Sequence, residues 1–275
     1  MKNRNIIIAI ALIIFASCED VIEIDLSSIE PKLVIEATIS DKQEPYTIKL
    51  TKSGDYFEPG IYPAVSNASV VISDNIGNTE TLQEVENGIY QTVNMQGEIG
   101  ITYTLNVLSE GIEYTAESLM PEKVNIDSLS YEFVEATPRF DEGYMVNCHF
   151  ADPLETKNYY RFKTYLNGEL LNSSSDIYIR DDKMFNGNEV KIPLLTEIYS
   201  FNDTITIELL SLNKETYDYF NTLINIIGGN SEGGPMGGGG PMAGSTPANP
   251  ETNLSNGAMG YFGAFTVSSE TIIIK

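Results

Sequence analysis

The chain of 275 residues carries 39 acidic against 16 basic side chains, a formal net charge of −23. That balance argues against nucleic-acid binding, which needs clustered Lys and Arg on phosphates, and against electrostatic adhesion to anionic lipid; it favours a well-solvated surface. With a single histidine and two cysteines, a zinc or haem site of ordinary type is not expected, and neither is any cofactor.

The N-terminus opens with Lys2 and Arg4, continues through an apolar run from Ile6 to Phe15, and reaches the small residues Ala16-Ser17 directly before Cys18. A charged start, an apolar stretch and a small-residue cleavage site in that order predict a secretory signal peptide over residues 1–17. The run is about half the roughly 20 residues a permanent spanning helix needs. Acidic Glu19-Asp20 follow it, not the basic residues of a stop-transfer segment. Phe15-Ala16-Ser17-Cys18 resembles a bacterial lipobox, with Phe15 in place of the commoner Leu, which makes Cys18 the lipid-bearing first residue of the mature chain. Two or three acyl chains give stable anchoring, whereas one binds only marginally. The protein is therefore expected to be anchored to a membrane without spanning it. The one remaining cysteine, Cys148, then has no partner, so stability must come from core burial and not from a disulfide.

Residues 18–30 read as a short acidic tether. From 31 to 121 the pattern is all β, with apolar alternation at 32–39, 46–51, 68–73, 101–108 and 112–119. Turn residues Asp74-Asn75, Gly77-Asn78 and Asn87-Gly88 separate these segments. Short strands at this spacing fit an immunoglobulin-like β-sandwich lacking the Cys-Trp-Cys core of antibody domains. Pro121 marks the expected boundary with a second antiparallel β domain, a sandwich or half-barrel, over 122–275.

In that second half, strands are expected near 127–135, 144–150, 158–166, 169–180, 188–195 and 204–212. Asn167-Gly168 is the strongest hairpin signal, because both residues tolerate the positive φ of a type I′ turn. One helix is predicted over 214–227, with Asn213 as N-cap, Tyr217, Phe220, Ile224 and Ile227 on one face, and Gly228-Gly229 ending it. The Gly/Pro-rich segment 228–250 cannot bury a core and reads as a flexible surface loop, either functional or a tolerated insertion. A late strand follows at 259–267, and the apolar run at 271–274 closes the chain.

Recognisable catalysis is hard to find. Cys148 and His149 are adjacent in a predicted strand, so their side chains point to opposite faces and cannot form a nucleophile–base pair. Gly229-Asn230-Ser231-Glu232-Gly233 matches the G-x-S-x-G string of hydrolase elbows, but it follows a helix instead of a strand. Asp181-Asp182 with Asn186, Asn188 and Glu189 lack EF-hand spacing, and a hairpin turn on Asn186-Gly187 accounts for them. The 16 tyrosines, with no tryptophan, read mostly as core and sheet-face residues.

Several segments together resemble one family: EDVIEIDL directly after Cys18, LVIEATISD, GDYF, ENGIY, GITYTLNV with GIEYTAES, the ADPLETKNYYRF run and the terminal GAMGYFGAF. They are similar to a lipoprotein family of Bacteroidota catalogued as domain of unknown function 4249, over nearly the whole mature chain. The resemblance implies an outer-membrane lipoprotein, exposed at the cell surface and partnered with a TonB-dependent receptor. Glu19 and Asp20 partly fit the surface-export signal of that phylum, and Ser128 and Thr204 fall in its short O-glycosylation pattern. The leading expectation is a non-enzymatic accessory subunit that helps such a transporter capture or gate its substrate. A stand-alone surface binding or adhesion module is the alternative, and a carboxylate-based hydrolase is a weaker third. The bound small molecule, peptide or glycan is left open.

Overall fold

Alternation explains the first strand. In Leu33–Ser40 (β1), Leu33, Ile35, Ala37 and Ile39 are buried while Glu36 faces water, the two faces of a pleated strand being set by its period of two. The computed structural model describes residues 30–54, 60–136, 141–194, 197–228 and 249–275. The leader, Cys18, Glu19, Asp20 and nearly all of the expected loop 228–250 lie outside the described residues. The body treated below is the unit Lys32–Lys275.

The first half contributes β1, Thr47–Lys52 (β2), Ser69–Asp74 (β3), Thr79–Thr81 (β4), Gln83–Glu86 (β5), Ile89–Gln91 (β6), Thr102–Ser109 (β7) and Ile112–Leu119 (β8). The second adds Ile126–Val134 (β9), Gly143–Ala151 (β10), Tyr159–Leu166 (β11), Glu169–Leu170 (β12), Tyr178–Asp181 (β13), Glu189–Pro193 (β14), Thr204–Leu212 (β15) and Met259–Ile273 (β16). The helix, α1, spans Lys214–Gly228. Asn213 caps it, its Oδ1 accepting the Thr216 amide at 3.0 Å, which satisfies one of the N–H groups a helix start leaves unpaired.

Among the described residues these strands form three sheets. A nine-stranded sheet runs β12-β11-β15-β16-β1-β2-β6-β5, with β13 also on β11; a second runs β4-β3-β7-β8 and a third β14-β10-β9. The four-stranded sheet packs on the large one through a core that includes Ile35, Ile39, Ile72, Leu105 and Phe262. The three-stranded sheet packs further along through Val146, Phe150, Phe162, Ile207 and Ile274. On β15, Ile205, Ile207 and Leu209 belong to that second core, whereas Leu210 and Leu212 join Phe220 of α1 in a third. The helix thus covers the opposite face of the large sheet. Among the described residues the fold is all-β and sandwich-like with one helix, as the sequence predicts.

Pro121 falls between the residues of the first and second cores, but one sheet serves both. The last strand, β16, pairs in parallel with β1 from Val34↔Met259 to Ser40↔Phe265 and antiparallel with β15 from Leu212↔Phe265 to Thr204↔Ile273. It places Phe262 and Ala264 in the first core, and the chain just beyond it places Ile274 in the second. The segments expected as separate strands at 259–267 and 271–274 are therefore one 15-residue strand. Two glycines permit its close neighbours. At Gly260 (φ +94°) a Cβ would stand 2.0 Å from the Ile35 carbonyl oxygen, and at Gly263 it would lie 2.9 Å from Thr216 Oγ1 of α1.

Other expectations change in detail. Asn167 (φ 51°) and Gly168 (φ 91°) do form the predicted tight turn between β11 and β12. The strand expected over 169–180 is broken, however, because Ser173 bonds Asp176 through both its amide and its hydroxyl and closes a 3-10 turn over Ser174–Asp176. Its two pieces, β12 and β13, both pair with β11. The turn at Asn186-Gly187 exists, with Gly187 at φ +74°. It is not a hairpin, since β13 and β14 belong to different sheets.

Candidate functional site

The sequence-predicted site residues are not brought together. Cys18, Glu19 and Asp20 fall outside the described residues. Ser128 is exposed on β9, in the three-stranded sheet, whereas Thr204 opens β15 in the nine-stranded one and donates its amide to Asn167 Oδ1 at 2.9 Å. Cys148 points into the second core and His149 away from it, as strand geometry requires. Burial, helped by the negative charge of Asp127, pushes the Cys148 thiol up to about 12, so no thiolate is available for nucleophilic chemistry. The His149 ring sits 2.7 Å from the Ser130 hydroxyl on the neighbouring strand.

The acidic groups singled out in the sequence hold turns. Asp182 is buried and accepts the Asn158 amide at 2.6 Å. Asn188 donates to the Phe185 and Asn186 carbonyls, and Asn186 donates to that of Leu154. Asp152, also buried, accepts the Tyr160 hydroxyl and the Gly187 amide. Burial and then the bond to Asp152 raise the Tyr160 phenol well above its ordinary value. Through these bonds Asp152 and Asp182 help hold the 182–188 turn against β11. The ADPLETKNYYRF segment owes its character to that latch, which sequence periodicity alone does not reveal.

A different cluster stands out on the α1-bearing face of the large sheet. Arg161 and Lys163, two residues apart on β11, project on the same side as Tyr159 and Tyr165. The Arg161 guanidinium lies 4.1 Å over the Phe220 ring of α1, with Tyr261 beside it. Its Nε is buried without a hydrogen-bond partner. Tyr219 of α1 stacks on Tyr261 at 4.5 Å, and Lys163 lies 6.0 Å from the Phe265 ring. Burial pulls Arg161 down from its ordinary value; burial and then the Arg161 charge do the same to Lys163. The Tyr261 phenol is pushed up to about 12, mainly by burial. At the rim, the buried Glu208 carboxylate takes Lys42 and, at 3.2 Å, the Tyr165 hydroxyl.

Chemically, this patch offers fixed cations against aromatic faces, an arrangement suited to holding a ligand or a neighbouring segment. It contains no described nucleophile–base pair. The sequence signal was faint: two cations at i, i+2 in an apolar strand of an acidic chain, with aromatic partners distant in the chain. Two shallow depressions lie elsewhere, one lined by Ser66, Asn67 and Glu84–Asn87 and another by Thr104, Thr115–Glu117 and Thr252–Ser255.

Fold and groups together define an all-β, sandwich-like protein whose described polar clusters brace its turns and sheets. Residues 19–271 match the model of the family described as "Domain of unknown function (DUF4249)". The chain belongs to that family. A search among curated proteins found no match.

Proposed function

We propose that the protein is a lipid-anchored, non-enzymatic accessory subunit of the outer membrane, working at the cell surface beside a TonB-dependent transporter in capture or gating of its substrate. The observation that carries this reading is the join at Cys18. An apolar leader ends in a lipobox-like quartet at that residue, and the family match starts at residue 19. A mature chain beginning at an acylated Cys18 presents the whole family region as a body tethered at a membrane by at least two acyl chains. The commitment of Asp152, Asp182 and Cys148 to structure supports a binding role over a hydrolytic one.

Affinity purification of the full-length protein after gentle solubilisation tests the partnership. An outer-membrane β-barrel should be enriched over an unrelated lipoprotein control. Recovery of the lipoprotein alone contradicts the transporter reading while leaving the anchor to be tested separately.

A further inference from the structure

Among the described residues, the sheet edges are treated unequally. An unpaired edge offers rows of free N–H and C=O groups, and proteins ordinarily blunt it with short strands, charges, Pro or a covering segment. The edge of β8 is covered: Ser255 exchanges bonds with Thr115, while Asn253 and Asn256 donate to the Glu117 and Glu113 carbonyls. β4 and β12 have three and two residues, β5 is bulged and carries Glu84 and Glu86, and β14 carries Lys191 and Pro193.

β9 is blunted less: its own charges are Asp127 and Glu132, and its ladder with β10 shifts register only at its start, between His149 and Phe150. It runs for nine residues, contains neither Pro nor Lys, and pairs only with β10. On β10, Tyr144 and Val146 bond toward Tyr199 and Leu194, so the alternate residues of β10 bond toward β9. The register then leaves the amides and carbonyls of Leu129, Tyr131 and Phe133 pointing outward. Phe133 is 56 % exposed; Glu132, which also pairs with Lys191 at 3.4 Å, and Glu135 are exposed beside it. The final part of β16 lies alongside, tied by Ser268 to the Ile126 amide and by the Lys275 backbone to the Tyr131 hydroxyl. It adds exposed Glu270 and Ile273.

We infer that β9 is a docking edge for an extended segment of another protein, added antiparallel, with apolar and basic residues in alternation. Backbone bonds to Leu129, Tyr131 and Phe133 supply the pairing. Apolar side chains of the segment meet Phe133 and Ile273, and Lys or Arg meets Glu132 on the other face and Glu135 just past the strand end. The same carboxylates oppose self-pairing, because a second copy would set like charges face to face, in a chain of net charge −23. The inference stands apart from the identity of the transporter, because any partner with such a segment satisfies it.

Amide exchange followed by NMR on the full mature chain tests it, with an acetylated nine-residue peptide of alternating Lys and Val as the probe. The expected result is saturable slowing, by about ten-fold or more, at the Leu129, Tyr131 and Phe133 amides. A peptide of alternating Glu and Val, and the Lys–Val peptide N-methylated at alternate residues, should give none. Phe133→Pro, which removes one outward N–H and leaves the bonds to β10, should weaken the effect. The inference is overturned if these amides already exchange slowly without peptide, if the Lys–Val peptide leaves them unchanged, or if the N-methylated peptide protects them equally. The peptide arms decide the matter even where the Phe133 variant unfolds.

Discussion

At the scale of single residues, backbone clearance and hydroxyl placement carry much of the specification. Gly260 sits at φ +94° with the Ile35 carbonyl where a Cβ would go. Gly260→Ala should cost about 3 kcal/mol or more, strain and displacement acting together, read as a lowered denaturation midpoint in urea. The buried tyrosines act as clamps. Tyr46 donates to the Ser40 and Lys42 carbonyls and accepts the Gly97 amide, and Tyr103 accepts the amide of Glu98 and donates to the Gln96 carbonyl. Burial raises both phenols, that of Tyr90, and the Cys148 thiol from its ordinary 9.0. Groups whose folded values are raised contribute stability below their unfolded values and lose it as pH climbs toward the folded ones. Stability should therefore hold to about pH 9 and fall above it, with phenolate absorbance and Cys148 alkylation both following unfolding. Alkylation of Cys148 in the folded protein at pH 8 would contradict this. The glycines and tyrosines were visible in the sequence, but their purposes were not, because Ile35 and Gly260 meet only in three dimensions.

At the scale of elements, strands with plain alternation were legible and those interrupted by polar contacts were not. β1 and β11 follow their apolar periods almost to the residue. In the sequence, Ser268-Ser269-Glu270 breaks the apolar run of β16; in the fold Ser268 is buried and takes the Ile126 amide from the segment joining the halves. The approach to β16 hangs on Asn253, whose amide donates to Glu117 and Phe262 carbonyls and accepts the Phe262 N–H. Asn253→Ala should cost about 2 kcal/mol, since several partly buried backbone groups lose their partner, and it should speed amide exchange along β8. The helix offers a milder case. Asn213→Ala should cost about 1 kcal/mol by removing the cap to the Thr216 amide, seen as a lowered thermal midpoint.

At the scale of the whole molecule, the halves depend on a strand made last. β16 supplies Phe262 and Ala264 to one core, and Ile274 just after it completes the other. A chain ending at Gly257 should therefore lose cooperative unfolding in both halves; a retained sharp transition from residues 32–121 would contradict this. Such long-range pairing of β1 with β16 cannot be read from local periodicity, and it predicts slow folding. The patch around Arg161 was hidden for the same reason, since Phe220 and Tyr261 lie far from it in the chain. The proposed address is the opposite case, since it rests on consecutive residues up to Cys18. The most direct test of the account is the intact mass of the protein taken from membranes. It should begin at Cys18 and exceed the polypeptide mass by a diacylglyceryl group, with or without an amide-linked chain. An unmodified Cys18 thiol, or a retained leader, would contradict the account.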